Sequence, residues 1–496
     1  MLILDSSTDY KEMLSEFKSG SDVTIRFPYP SKETLKTVNS FVAQVLSSRD
    51  RIFLLETIIT ILRECIFNAV KANAKRVYFE QSKIDITDQA AYSQLIAKFK
   101  EKVILNFSEL EPVLASSTYK AEFTVSPAAD GFVIRIENNV PILPAESGRI
   151  RERMQNALKY KDFSEVYDEM YDDTEGAGLG IILTILLLKN SGIDPESFTI
   201  STDGKSILAK LVIPDHLRPH DLSTHVKTQI IEQIQVLPTF PQMTLELMEM
   251  CNHLDAQLKK IGERIQSDPS LTADILKLAN SAGFVATRKV DTINDALVRI
   301  GLKNLKNILL VASSRTILEK RYKKFEAIWS HCFRTAFYAK MIANTLKLPQ
   351  TEDQAFICGL LHDMGKIVLL SVDLDLTNKI ADIVAQHRIR TTTVIEEISI
   401  GISHSSIGKL IAEKWNFTEF LIQGIEFHHS PLMAKDEYRN IVYCTYLANL
   451  FCGVETKKYE YSYIDALVLE RLGLADEAAV QSLHQKLIEL YDKQTI

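Results

Sequence analysis

The chain has 496 residues, enough for two to four domains, with 46% hydrophobic and 24% charged residues. That is the balance of an ordinary globular protein with material for at least two cores, and it excludes a collagen-like or low-complexity chain. The net charge of −7 leaves no broad basic field, which argues against nucleic acid or an anionic membrane as a partner.

Residues 22–27 alternate like a strand, and Ser31 opens a helical pattern. Apolar residues at Leu54, Ile58, Ile61, Leu62, Cys65, Ile66 and Ala69 predict a long helix over residues 53–74. Two strand-like runs, 121–125 and 132–136, flank a turn-rich segment and predict a hairpin. A helix follows Gly180, and a second hairpin over 198–212 turns at Asp203-Gly204. This interleaving predicts a helix layer on a sheet across residues 1–213. Residues 214–226, with Pro214, Pro219, His216, His220 and His225, read as a polar linker. From residue 227 onward helix follows helix. Asp268 would cap a helix entered through Pro269, and Gly301 would end another. The longest apolar run, 179–188, is interrupted by Gly180 and Thr184 and falls far short of the ~20 residues that span a bilayer. There is no signal-like start and no Cys-x-x-Cys pair among the six cysteines, so a cytoplasmic protein with reduced thiols is expected.

Two groups of residues carry chemistry. In Arg63-Glu-Cys-Ile-Phe-Asn-Ala-Val-Lys71, Glu64 and Asn68 are four apart and Asn68 and Lys71 three apart, so they share a helix face. An amide oxygen can ligate Mg²⁺, an ammonium can meet phosphate, and a carboxylate can orient water. Further on, Glu175-Gly-Ala-Gly-Leu-Gly-Ile181 leads into an apolar helix, where bare backbone and a helix start suit phosphate.

In this order, with two strands between them, these pieces resemble the Bergerat-fold ATPases, the group of gyrase, Hsp90, MutL and the histidine kinases. The resemblance covers about residues 50–213. It implies that Glu64 and Asn68 form the asparagine box, and that Gly176, Gly178, Leu179 and Gly180 form the second glycine box. Asn68 would hold the Mg²⁺ of ATP, Lys71 would face phosphate, and Glu64 would serve hydrolysis. The family's first glycine box reads Asp-x-Gly-x-Gly; here Asn138 stands in the aspartate's place and Val140 in the glycine's. Asn138 would take the adenine amino group without charge. Residues 147–175, increasingly acidic, would be a loop-like lid. The first histidine, His216, follows this domain, so a standard histidine autokinase is not expected. A serine kinase acting on a partner protein stays open as an alternative.

The second group centres on Gly359-Leu-Leu-His-Asp-Met-Gly-Lys366. An adjacent imidazole and carboxylate, His362 and Asp363, can both face a divalent metal, and Lys366 could hold a phosphate oxygen. His331, His404, His428, His429 and Asn449 lie on other predicted helices, as in helical sites assembled from several elements. These residues resemble the HD superfamily of metal-dependent phosphohydrolases. Leu237-Pro-Thr-Phe-Pro241, Asp268-Pro-Ser-Leu-Thr272 and Leu278-Ala-Asn-Ser-Ala282 narrow the resemblance to the HDOD type, over residues 227–435 with a helical extension over 436–496. HDOD domains generally look like degraded hydrolases used for interaction. Here the histidines, Asp363 and Lys366 are similar to the ligand set of the HD-GYP cyclic-dinucleotide phosphodiesterases. Asn449, however, stands where those have aspartate, Ser430 stands for a glutamate, and their glycine-tyrosine-proline motif is absent.

The sequence therefore leads us to expect a multidomain fold, an N-terminal α/β sandwich followed by an all-α domain. The expected function is bacterial-type signalling, with ATP sensed by the first domain and a protein partner docked by the second. A metal-dependent phosphodiesterase gated by ATP is the alternative, with Lys366 as a catalytic residue. The pocket holds either a divalent transition metal or a relic of hydrogen-bonded histidines, and the oligomeric state is open.

Overall fold

The computed structural model describes the chain except for residues 1, 5–9, 87–94, 96–98, 100–109, 161–178, 218–224, 252, 254–256, 281–289, 323–325, 349, 373, 375–376, 379, 381–390, 475–476 and 496. The chain divides into two compact units, the first over Met1–Leu222 with Glu397–Ser399 and the second over Ser223–Glu396 and Ile400–Ile496.

In the first unit, β1 (Leu2–Leu4), β2 (Val23–Phe27), β3 (Ala121–Ala128), β4 (Gly131–Asn138), β5 (Phe198–Thr202) and β6 (Ile207–Pro214) form one sheet in the order β1-β2-β3-β4-β6-β5. Five strands pair antiparallel, and β1 lies parallel to β2 at the edge. The register puts Phe123 opposite both Ile25 and Ile136, and Val125 opposite Val23 and Ile134. All six are buried, so alternation gives the sheet one apolar face. The helices of this unit are α1 (Tyr10–Lys18), α2 (Lys32–Ser48), α3 (Leu55–Gln81), α4 (Leu110–Ala115), α5 (Pro144–Lys159) and α6 (Leu179–Asn190). Ser31 caps α2 by accepting from the Thr34 backbone N–H. On α3, Ile61, Leu62 and Cys65 face Ile134, Ile136, Phe198 and Leu211 of the sheet. Helix α6 is apolar all round and buried from Gly180 to Leu188, as a helix without a polar face must be.

The second unit is helical: α7 (His225–Gln235), α8 (Gln242–Met250), α9 (Leu258–Gln266), α10 (Pro269–Ala279), α11 (Ile293–Ile300), α12 (Leu302–Arg321), α13 (Glu326–Thr345), α14 (Glu352–Leu361), α15 (Met364–Val372), α16 (Thr393–Ile400), α17 (His404–Lys414), α18 (Glu419–Glu426), α19 (Arg439–Glu455), α20 (Ala466–Arg471) and α21 (Glu477–Thr495). Asp268 caps α10 through the N–H groups of Ser270 and Leu271, and Gly301 ends α11 at φ 72°. One core joins Phe337, Tyr338 and Ile342 of α13 to Leu447 and Phe451 of α19 and Val480 and Leu487 of α21.

Three expectations change in the fold. Helix α3 continues past Ala74 to Gln81, because Val77 and Phe79 extend its buried face. The expected linker over 214–226 is shorter: Pro214 is the last residue of β6 and His225 the first of α7. The helices after residue 436, expected as a helical extension of the preceding domain, share the core of α13. The expected lid, 147–175, begins within a helix: α5 starts at Pro144 and is capped by Glu146, which accepts from the Leu143 N–H at 3.0 Å. The acidic remainder, with Gly176 and Gly178, lies outside the described residues. Among the described residues one stretch, Glu352–Val372, is long and apolar enough to cross a membrane, and 78% of its apolar window is buried inside the fold.

Glu146 also ties α5 to α3. Its carboxylate pairs with Lys75 and, at 3.1 Å, with Arg76, which donates to the Pro141 carbonyl at 2.7 Å. Burial alone would raise this carboxyl, but the two cations hold it near 2, below its ordinary 4.5. Its stabilisation is therefore complete above pH 4.5 and lost as pH falls toward 2. Glu146→Gln should cost about 2–3 kcal/mol at neutral pH, the range for a charge-assisted contact left half-made. Urea denaturation followed by a probe in the first unit should show this gap between wild type and variant narrowing in acid.

Candidate metal centre

Six chain segments of the second unit converge on one carboxylate. His331 lies on α13, His362 directly follows α14, and Asp363 sits at the step into α15, which carries Lys366. His404 is the first residue of α17, whose start is capped by Ser403; His428 and His429 follow α18, and Asn449 is on α19. The approach depends on glycine. A Cβ on Gly365 would lie 2.0 Å from the His404 carbonyl oxygen and 2.6 Å from the Gly408 nitrogen, so α15 and α17 touch backbone to backbone. That contact brings His404 beside Asp363.

Asp363 is 2% exposed, and its two oxygens face different groups. Oδ1 lies 3.4 Å from His404 Nε2 and 3.4 Å from His428 Nε2. Oδ2 accepts from Lys366 Nζ at 2.8 Å, and lies 3.5 Å from His362 Nε2 and 3.6 Å from His331 Nε2. His331 Nε2 is also 3.0 Å from Asn449 Oδ1. His429 is buried, with its ring 4.3 Å from that of His428 and 5.0 Å from that of His404.

The ring protons can be placed. His362 Nδ1 is 2.8 Å from the Gly359 carbonyl and His428 Nδ1 is 2.7 Å from the Ile425 carbonyl. A carbonyl only accepts, so both protons sit on Nδ1 and each neutral ring aims an Nε2 lone pair inward. His404 Nδ1 faces the Glu396 carboxylate at 2.7 Å, and Glu396 also accepts the His404 backbone N–H at 2.7 Å. His404 Nε2 and His428 Nε2 are 3.2 Å apart. Two lone pairs that close, both facing a carboxylate oxygen, require a cation between them, either a proton or a metal ion.

Burial lowers the histidines: His331 and His362 fall to about 3, and His428 and His429 also fall. Burial would lower His404 too, but Glu396 raises it. Burial would raise Asp363, yet His362 and Lys366 pull it well below the usual carboxylate range. Four of the five histidines are thus favoured as neutral donors beside an anion, the state in which imidazole binds a divalent metal. Asp363 Oδ1, His362 Nε2 and His429 Nε2 are buried without a hydrogen-bond partner, so the residues fit such an ion. Among the described residues two groups could hold an ion, Asp363–His404–His428–His429 and His331–His362–Asp363.

Every residue expected in this pocket from sequence lies within it. Glu396 was not foreseen, although it fixes the His404 tautomer as a carboxylate behind a metal-binding imidazole does. Its only sequence signal is an acidic pair, Glu396-Glu397, inside an apolar helical run. In the first unit, Asn68 is exposed and donates to Glu64 Oε1 at 2.9 Å, and Lys71 is exposed one turn on. A Cβ on Gly180 would fall 1.8 Å from the Glu64 carboxylate, so that glycine and the Glu64–Asn68 face are brought together. Leu179 begins α6. Asn138 ends β4, buried, and donates to Asn73 Oδ1 at 3.1 Å, a partner on α3 that the sequence did not single out.

Residues 237–431 match the family model of the HDOD domain and form such a domain. Over 431 residues the chain is 28% identical to an uncharacterized protein of Treponema pallidum (strain Nichols), covering 86% of this chain and 83% of that one. It is 22% identical over 390 residues to the uncharacterized protein YuxH of Bacillus subtilis (strain 168), covering 70% of this chain and 91% of YuxH. Among solved structures it is similar to a Shewanella amazonensis SB2B protein assigned provisionally as a phosphohydrolase, at 26% identity and TM-score 0.43, over 53% of this chain and 95% of that one. It is also similar to an HDOD domain protein with unknown function from Geobacter sulfurreducens, at 23% identity and TM-score 0.42, over 54% of this chain and 96% of that one.

Two outcomes test the pocket. Glu396→Gln removes the carboxylate behind His404 and should weaken divalent-metal affinity 10–100-fold by titration calorimetry, with the fold retained. The second concerns pH. His331 and His362 protonate near 6.5 when unfolded but only near 3 when folded, so their contribution is present above pH 6.5 and lost as pH falls. His404, raised in the fold, works the other way. With four lowered histidines against one raised, the melting temperature of the chelated protein should drop between pH 7 and 5.

Proposed function

We propose that the protein is a signal-transduction component in which a nucleotide-binding first unit is coupled to the HDOD domain, which docks on a partner protein. A divalent metal ion is held in the HDOD pocket. The observation that carries the metal is the Asp363–His404–His428 group, with its inward lone pairs and unpartnered carboxylate oxygen. Metal content of protein purified without added metal or chelator tests it; less than a tenth of an equivalent of any divalent metal, with none taken up on titration, would count against it.

The nucleotide reading is supported by Gly180 lying against Glu64, which puts the Glu64–Asn68 face beside the start of α6. With ATP bound, Asn68 would offer its carbonyl oxygen to Mg²⁺ and exposed Lys71 its ammonium to phosphate. Nucleotide would act by favouring one conformation of the chain over another. Asn68→Ala, on an exposed helix face, should leave stability within about 0.5 kcal/mol and abolish Mg²⁺-ATP binding by titration calorimetry. Equal binding by both proteins would remove the assignment.

Phosphodiester hydrolysis is the second reading. It is favoured by the partial exposure of Lys366 (26%) and His331 (30%) at the edge of a pocket whose other donors are buried. A metal-bound nucleophile needs an open coordination position on that edge. Hydrolysis of bis(p-nitrophenyl) phosphate by the Mn²⁺- or Zn²⁺-loaded protein, abolished by Asp363→Ala, would favour it over the docking role.

A further inference from the structure

We propose that the pocket is built for one divalent ion, held by Asp363, His404, His428 and His429, and that Lys366 and Asn449 occupy the interactions a second ion would need. This rests on the metal reading above and deepens it, because it selects one donor group and makes the ion a structural clamp.

The first argument is geometric. Four ligands about 2.0–2.1 Å from an ion at a tetrahedron's centre lie about 3.3 Å from one another. The three edges among Asp363 Oδ1, His404 Nε2 and His428 Nε2 measure 3.4, 3.4 and 3.2 Å. His429 offers the fourth donor within 4.8 Å of the others, and it is the one that must move inward. Its Nε2 is buried and has no hydrogen-bond partner. Three imidazoles and one carboxylate make a set that suits Zn²⁺, and four protein ligands leave no position open.

The second argument concerns the other side of Asp363. Its Oδ2 is already taken by an ammonium at 2.8 Å. His331 spends its inward nitrogen on Asn449, 3.0 Å away, instead of leaving a lone pair for an ion. His362 Nε2 remains there without a partner, one donor where a site needs three or more. Charge decides in the same direction. Among the described residues, the charged side chains that reach these donors are Asp363, Glu396 and Lys366, which together carry one negative charge. One dication brings the pocket to a single positive charge. A second would bring it to three, among neutral groups that cannot offset it.

Such an ion would pin the start of α15 to the start of α17 and to the segment after α18, holding the domain's helices in a fixed arrangement. The test uses the full chain, stripped with a chelator and titrated separately with Zn²⁺ and Co²⁺. Calorimetry should give one ion per chain, and Co²⁺ should show the intense visible bands of four-coordinate geometry. His331→Ala should keep both results. His429→Ala should lose at least tenfold in affinity and the four-coordinate spectrum. The double variant Lys366→Met/Asn449→Asp, which removes the ammonium and adds a carboxylate, should take up a second ion. Two ions in the wild type, weak six-coordinate Co²⁺ bands, a single ion lost with His331→Ala, or no second ion in the double variant would each overturn the proposal while leaving metal binding in place. No ion bound by chain of unchanged circular dichroism would overturn the metal reading itself. The wild-type Co²⁺ spectrum decides the geometry even where a variant fails to fold.

Discussion

The carboxylate of Asp363 is buried in the middle of a helical domain, and removing such a charge from water costs several kcal/mol unless its surroundings repay it. The surroundings do so on one oxygen with the Lys366 ammonium; on the other, the inward lone pairs of His404 and His428 lie 3.4 Å away, so repayment there requires a cation between them. Each of these groups sits on a different helix or helix end, so satisfying one charge requires several helices to meet. The bare backbone contact of Gly365 with His404 is the packing counterpart of that requirement.

A second polar network stands behind the pocket and keeps its outer wall in place. Glu455, at the end of α19, pairs with Arg334 of α13, accepts from Tyr338 at 2.8 Å and faces His484 Nε2 of α21 at 3.2 Å. Tyr461 closes the network at His484 Nδ1, 2.7 Å away, and the His484 ring stacks on Phe451 at 4.3 Å. Arg334 and His331 share α13, and Glu455 and Asn449 share α19. The network therefore fixes the relative position of the two helices that bear the His331–Asn449 contact. The last helix of the chain is part of the support of the pocket.

The first unit uses the same devices for a different end. A long helix with one buried face lies on a sheet, an ion-paired Glu146 joins α5 to it, and a glycine lets α6 approach its Glu64. On α3, Asn68, Lys71, Glu80 and Gln81 are exposed, and Asn68 shares its face with Glu64, which Gly180 of α6 approaches.

The sequence by itself determined the alternation that gives β2, β3 and β4 one buried face, the caps at Ser31 and Asp268, the stop at Gly301 and the identity of the pocket's histidines. These are local properties: periodicity, capping and residue chemistry act within a few positions along the chain. It misplaced the end of α3 and the loop-like start of the expected lid, residues 147–159, because those follow from what packs against them. Only the tertiary structure decided which nitrogens carry protons, that Glu396 stands behind His404, that Lys366 lies on one oxygen of Asp363, and that Asn138 meets Asn73. In the pocket those facts depend on distances between residues 3 to 118 positions apart, set by the backbone contact of two glycine-bearing helices and by the burial of one charge; the Asn138–Asn73 contact joins β4 to α3 across 65 positions. No pattern along the chain encodes them.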